Sequence, residues 1–219
     1  MTLQRVLEPE VMDSADDATD YNDMDHSAVN VLFADDFLAT GFAGTDILDL
    51  GTGTALIPIE ICQRNPEFRI MAADMAVSML ELARYNLEGS GLTNRIQLSH
   101  VDAKKLPYSD KMFGAVISNS IVHHIPKPEA VIREAIRVTK TAGVLFFRDL
   151  LRPAFQAELE QLVKQYAGDE SDHARQLFAD SLHAALSLEE IRTIVVQAGF
   201  EPDSVQQTSD RHWTWSGTK

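Results

Sequence analysis

The sequence predicts an α/β protein on a mostly parallel sheet, with an antiparallel C-terminal edge strand and helices on both faces. Three observations carry that prediction. Short apolar runs of strand character alternate with helical segments of about a dozen residues between positions 46 and 150, the pattern of right-handed β-α-β crossovers. A glycine turn, "DLGTGTA", falls where the first strand hands over to a helix. Two β-like runs, "DSVQQTS" and "HWTWSGT", then follow one another after the final helix, and strands in direct succession add an antiparallel element.

In chain order, "SAVNVLFADDFLAT" spaces Val29, Leu32, Phe33, Phe37 and Leu38 as an amphipathic helix, with Gly41 as its stop. "DILDLG" is a short buried strand, and "TALIPIEICQRNP" a helix with Pro58 in its opening turns, where the first amides have no partner to lose. "FRIMAAD" is the second strand, ending at Asp74. Helix "VSMLELARYNLEGSG" and strand "RIQLSHVD" continue the alternation. After a loop through Pro107 come strand "FGAVISN", helix "PEAVIREAIRVTKTAG" and strand "VLFFRDL". Helical stretches near 153–167 and 171–186 interrupt the strict alternation. In "SLEEIRTIVVQAGF", Ser187 and Glu190 fit a capping box and Gly199 ends the pattern.

The 219 residues suit one domain: an acidic N-terminal helical lid segment (1–44), a core (45–150), a helical insertion (151–186), and a final helix with two strands (187–219). The net charge of −14 is uneven, since residues 1–46 hold eleven acidic residues against Arg5 alone. Such a surface opposes a phosphate backbone and disfavours nucleic-acid substrates. No stretch approaches the roughly 20 apolar residues of a membrane span, and "MTLQRVLEPEVMDSADD" has no signal-peptide core, so a cytoplasmic protein is expected. The single cysteine, Cys62, lies in apolar "IPIEICQ" and reads as a packed hydrophobe.

The glycine turn carries the first chemistry. Gly51 and Gly53 bring backbone amides to a ligand at a helix N-terminus. A dinucleotide fingerprint would require a small residue at position 56, where this chain has Leu56. "ILDLGTGTA" instead resembles motif I of class I S-adenosylmethionine-dependent methyltransferases, with Asp49, Gly51, Thr52 and Gly53 in place and Ala55 where a third glycine is usual. Asp74, 21 residues after Gly53, stands at a strand end where a carboxylate accepts from vicinal ribose hydroxyls. Met75 resembles the apolar residue that packs on adenine. "HVDAKKLP" resembles the third signature, in which Asp102 accepts from the adenine amino group and Ala103 donates its amide.

The resemblance spans roughly residues 45–150 and extends to the final helix. It implies a Rossmann-like methyltransferase fold, S-adenosyl-L-methionine as cofactor, S-adenosyl-L-homocysteine as product, and a small-molecule acceptor nucleophile of oxygen, nitrogen, sulfur or carbon. "VISNSIVHHIPKPEAVIREAIRVTKTAGVLFFRD" resembles the small-molecule branch that includes ubiquinone and menaquinone biosynthesis enzymes, with Ser118 and Asn119 beside the methionine portion of the cofactor.

His123 and His124 leave two roles open. One imidazole can take a proton from the acceptor, or the pair can pack and bond loop backbone. A metal is not expected, because adjacent residues in a strand or loop point apart. In-line positioning is expected to carry most of the acceleration. The family resemblance places Tyr21, Asp25 and His26 in a lid, and Arg148, Asp149 and Arg152 at the end of the fifth strand. Arg211 and His212 are further acceptor candidates, while Trp213 and Trp215 share one strand face and read as core. A catalytically silent, S-adenosylmethionine-binding regulatory subunit is the competing reading.

Overall fold

The computed structural model describes residues 2–8, 13, 18, 19, 22 and 27–219. Its strands are β1 (Asp46–Leu50), β2 (Arg69–Asp74), β3 (Ile96–His100), β4 (Phe113–Asn119), β5 (Thr139–Leu150), β6 (Val205–Gln207) and β7 (His212–Thr218). They form a seven-stranded sheet in the order β3-β2-β1-β4-β5-β7-β6. β1 runs parallel to β2 and β4, β2 parallel to β3, and β6 antiparallel to β7. The helices from residue 27 onward are α1 (Ser27–Ala39), α2 (Leu56–Arg64), α3 (Val77–Ser90), α4 (Pro128–Val138), α5 (Gln156–Ala167), α6 (Asp172–Ala184) and α7 (Leu188–Gln197). Succession from β1 to β3 moves one way along the sheet, and β4 to β5 the other; right-handed crossovers therefore place their helices on opposite faces. The chain divides into two compact units.

The larger unit comprises Val11–Asn119, Ala130–Phe147 and Ser216–Lys219. Its core joins Phe33 and Phe37 of α1 to Ile47, Ile61, Cys62, Ile70, Ile117 and Phe146. Phe33 meets Phe146 edge-on at 5.1 Å, and each such buried ring contributes roughly 1.5–3 kcal/mol. Burial pushes the Cys62 thiol up to about 11, leaving it inert as its apolar setting predicts. On α1, Val29 and Leu32 face solvent although Phe33, Ala34 and Phe37 are buried, so the apolar stripe is narrower than the sequence pattern. α3 ends as its sequence requires: Gly91 adopts φ 70°, and the Leu92 amide returns to the Leu87 carbonyl.

The segment "TKTAG" departs from expectation. It opens β5 instead of closing α4, because the Ala142 amide donates to the Lys219 carbonyl at 2.7 Å and the Lys219 amide to Gly143 at 3.0 Å. A strand partner remote in sequence thus overrides local helix propensity.

The smaller unit comprises Met1–Glu10, Ser120–Glu129 and Arg148–Trp215. Leu150, Leu159, Leu162, Leu182 and Ala185 form its apolar cluster, with Leu3 packed against it. The capping box on α7 is complete, with the Ser187 side chain accepting from the Glu190 amide and Glu190 from the Ser187 amide. Trp213 and Trp215 are both fully buried, as period-two alternation requires. Among the described residues, no helix is long and apolar enough to cross a membrane.

Candidate functional site

In the larger unit, three successive alternate residues of the turn after β1 take left-handed backbone: Gly51 at φ 70°, Gly53 at 54° and Ala55 at 62°. Glycine visits this region freely, whereas alanine is strained there. The turn is pinned to the end of β2, since the Gly51 and Thr52 amides both donate to the Ala73 carbonyl at 2.8 and 3.0 Å.

Asp74 completes the clasp. Its Oδ2 accepts from the Gly53 amide at 2.8 Å and its Oδ1 from the Ala76 amide at 2.9 Å. Each carboxylate oxygen keeps accepting capacity beyond one amide. Burial raises the Asp74 pKa despite those donors, so a further donor would stabilise the charged form.

Asp49 sits mid-sheet, in register with Ala72 of β2 and Ile117 of β4. It is 2% exposed, and desolvation, with repulsion from Asp74 added, pushes its carboxyl up to about 7. Such a group ionises fully when a cation arrives beside it. Thr54 Oγ1 is buried in the same turn without a hydrogen-bond partner, a polar group that a bound ligand would satisfy.

Met75 is exposed next to Asp74, and its carbonyl lies 2.9 Å from His100 Nε2. Asp102 meets the Lys104 amide at 2.8 Å and the Lys104 ammonium at 3.0 Å, both through Oδ1. Ala103 beside it is partly exposed. Ser118 spends its hydroxyl on the Leu50 carbonyl at 2.8 Å, while Asn119 ends β4 half-buried. All ten sequence-predicted cofactor positions therefore lie in this unit. Its left-handed turn, its two-amide carboxylate and an orphaned buried hydroxyl suit a polar, cationic nucleoside.

The smaller unit gathers the histidines. Val122–His124 forms a single 3-10 turn, and its rings lie 4.2 Å apart at 34°. The expectation that the adjacent side chains diverge fails, because the tight turn brings both to one carboxylate: His123 Nε2 is 3.4 Å and His124 Nδ1 3.1 Å from Glu8 Oε1.

Asp149 anchors the other side of His123, with Oδ1 2.5 Å from Nδ1 and Oδ2 accepting from the Val122 amide at 2.5 Å. Both residues are almost fully buried. Burial opposes charge on each, yet their mutual attraction prevails, raising the His123 pKa and lowering that of Asp149. Burial raises the Glu8 carboxyl, with His123 opposing the rise.

Residues 2–8 form a strap. Arg5 Nε donates to the Ala184 carbonyl at 2.7 Å, and its terminal nitrogen to the carbonyls of His123 and Ile125 at 3.1 and 3.0 Å. The Leu3 amide reaches the Ala154 carbonyl and the Val6 amide that of His183. Sequence reading missed Glu8 in this assembly; nothing distinguishes it from the other N-terminal acids before the strap docks.

The remaining predicted positions separate. Arg148 is buried and donates through Nε to Thr214 Oγ1 at 2.9 Å. Arg152 bridges the Ala185 carbonyl and Glu190. Arg211 lies 3.4 Å over the Tyr166 ring. Burial, with Arg211 and Arg148 adding to it, pushes His212 down to about 4, so it is neutral near pH 7. Tyr21, Asp25 and His26 lie outside the described residues.

A family model described as a methyltransferase domain matches residues 42–201. Over 170 residues the chain is 30% identical to the 27-O-demethylrifamycin SV methyltransferase of Amycolatopsis mediterranei (strain S699), covering 76% of this chain and 58% of that protein. It is 25% identical to the ubiquinone/menaquinone biosynthesis C-methyltransferase UbiE of Pseudomonas aeruginosa (strain LESB58), covering 73% and 66%. The match thus spans less than two thirds of either relative. A solved SAM-dependent methyltransferase from Aquifex aeolicus shares the fold, with TM-score 0.68 and 16% identity over 94% of this chain and 98% of that one. The domain match runs across the glycine turn, the Asp74 clasp and the strand order that presents them, and by it this chain belongs to the methyltransferase domain family.

Proposed function

We propose that this chain transfers a methyl group from S-adenosyl-L-methionine to a small-molecule acceptor, releasing S-adenosyl-L-homocysteine, and that residues 1–219 work as one methyltransferase domain. Asp74 carries the reading. Two backbone amides fix its carboxylate at the end of β2, one of them from the glycine turn.

The bound cofactor supplies a sulfonium-activated methyl group, and the chain's own residues hold and orient. Asp74 accepts from the ribose hydroxyls, Met75 offers an apolar face to adenine, and Asp102 with the Ala103 amide meets the adenine edge. Thr52 and Thr54 serve the turn, while Asp49 and the backbone of Ser118 and Asn119 serve the methionine end. Fixing donor and acceptor in line supplies the larger share of the acceleration.

His123 accepts the acceptor's proton on Nε2, and Asp149, bonded to Nδ1, stabilises the imidazolium. The raised His123 pKa suits that direction of transfer. Glu8 stands at the same nitrogen, so it withdraws before the proton arrives. His124 supports the pair, and Arg211 and His212 at the β6–β7 turn are the acceptor-contacting candidates. Oxygen and carbon acceptors are favoured by the names of the two relatives.

The test is calorimetric binding of S-adenosylmethionine followed by S-adenosylhomocysteine formation with phenols, quinols, thiols, amines and carboxylates. Binding with turnover is expected. Binding without turnover across the panel favours the silent regulatory subunit, a reading that the burial of His123 under Glu8 supports; absence of binding overturns both. His123→Ala is expected to lower kcat about a hundredfold or more with cofactor affinity unchanged. Full turnover in both His123→Ala and His124→Ala would exclude a base.

A further inference from the structure

Glu8, His123 and His124 offer one ligand atom each within 4.8 Å of one another. The Glu8 oxygen stands 3.4 Å from His123 Nε2 and 3.1 Å from His124 Nδ1. Bonds of about 2.0–2.1 Å in a tetrahedral shell set neighbouring donors about 3.3 Å apart. Two of the cluster's three edges already match a coordination shell, and the third lies within 4.8 Å.

We propose that Glu8 Oε1, His123 Nε2 and His124 Nδ1 bind one divalent cation of the zinc class, leaving a fourth position for water or an oxygen ligand. Four further observations point the same way. The Glu8 oxygen is buried and, beyond the two imidazole nitrogens, has no hydrogen-bond partner among the described residues. Asp149 bonds Nδ1 of His123 at 2.5 Å, the outer carboxylate that commonly fixes the tautomer of a metal-bound histidine and leaves the far nitrogen's lone pair free. Two imidazoles and one carboxylate match the preference of zinc, cobalt and nickel over magnesium or calcium. Charge is also accommodated: the Arg5 guanidinium, bonded to the His123 carbonyl, opposes a cation at the cluster, and Asp149 on the other side of His123 offsets it.

The site joins a residue of the N-terminal strap to the loop after β4. Metal there pins residues 2–8 to the loop and occupies the nitrogen otherwise open to an acceptor's proton. The proposal stands independently of methyl transfer, because metal binding is read without cofactor or acceptor.

The competing occupant is a proton shared between His123 and Glu8. Tag-free, full-length protein is titrated with Zn2+ against a chromophoric chelator near neutral pH. One equivalent is expected, with affinity falling at least about tenfold in Glu8→Gln and in His124→Gln, and about ten- to a hundredfold in Asp149→Asn. Asp74→Ala, in the other unit, should leave zinc affinity unchanged. In 15N-histidine wild-type protein, zinc should shift His123 Nε2 and His124 Nδ1 together, a readout that no variant's folding affects. No binding, no shift at those nitrogens, or equal affinity in both ligand variants overturns the site.

Discussion

The glycine turn and the histidine cluster are built by opposite means. The turn is almost entirely backbone: amides of Gly51, Thr52, Gly53 and Ala76 converge on Ala73 and Asp74, all within a short stretch of chain. The cluster is almost entirely side chain, drawing Glu8, His123, His124 and Asp149 from three distant segments. A backbone site tolerates substitution around it and fails chiefly through the few groups that close it. A buried side-chain cluster stands on mutual charge compensation, so removing one member exposes the rest.

The largest expected effect breaks the cluster. Asp149→Ala leaves the His123 ring and the amides of Val122, His123 and Leu150 without their carboxylate, and should cost about 3–5 kcal/mol of stability, measured by urea unfolding. A cost under about 1 kcal/mol would show that the pair is not the organising element.

The turn has its own charge defect. The Asp49 carboxyl, ordinarily near 3.8, is pushed up to about 7 in the folded chain. Between those values the folded state holds a proton that the unfolded state has released. This group's contribution therefore favours folding below about pH 4, declines as pH rises, and levels off above about 7, by at most about 4 kcal/mol. Asp49→Asn should flatten that slope in ligand-free protein; an unchanged slope assigns it to other groups.

Asp74→Ala tests whether the turn grips ligand as well as itself. Loss of two charge-assisted bonds predicts cofactor binding weaker by about 2–4 kcal/mol by calorimetry, and an unaltered affinity would refute the ribose assignment. The smallest effect sharpens the backbone side of the contrast. Ala55→Gly should stabilise the chain by about 0.5–1 kcal/mol in thermal unfolding, because the substitution relieves a left-handed alanine; a destabilised variant would mean that the buried methyl outweighs the strain.

The same contrast explains what the sequence disclosed. Local patterns were legible: the capping box of Ser187 and Glu190, strand β4 from Phe113 to Asn119, the acidic end of β2 at Asp74, and the paired tryptophans of β7; Asp102 instead lies two residues past the end of β3. Features that depend on a remote partner were not. "TKTAG" reads as helix until Lys219 supplies its ladder, and the histidines read as divergent until the 3-10 turn and Glu8 draw them together. Glu8 itself is one acid among eleven before position 47, and no spacing rule links it to His123.

The strap has a consequence in time as well as space. Its partners include the carbonyls of Ala154, His183 and Ala184 as well as those of His123 and Ile125, so residues 2–8 cannot complete their docking until the chain through residue 184 has left the ribosome. Loop closure over such a span comes late in folding. Residues 2–8 thus complete their docking only after the chain around Ala154 and His183 has been made and folded, although Val6 and Leu7 stay exposed once docked.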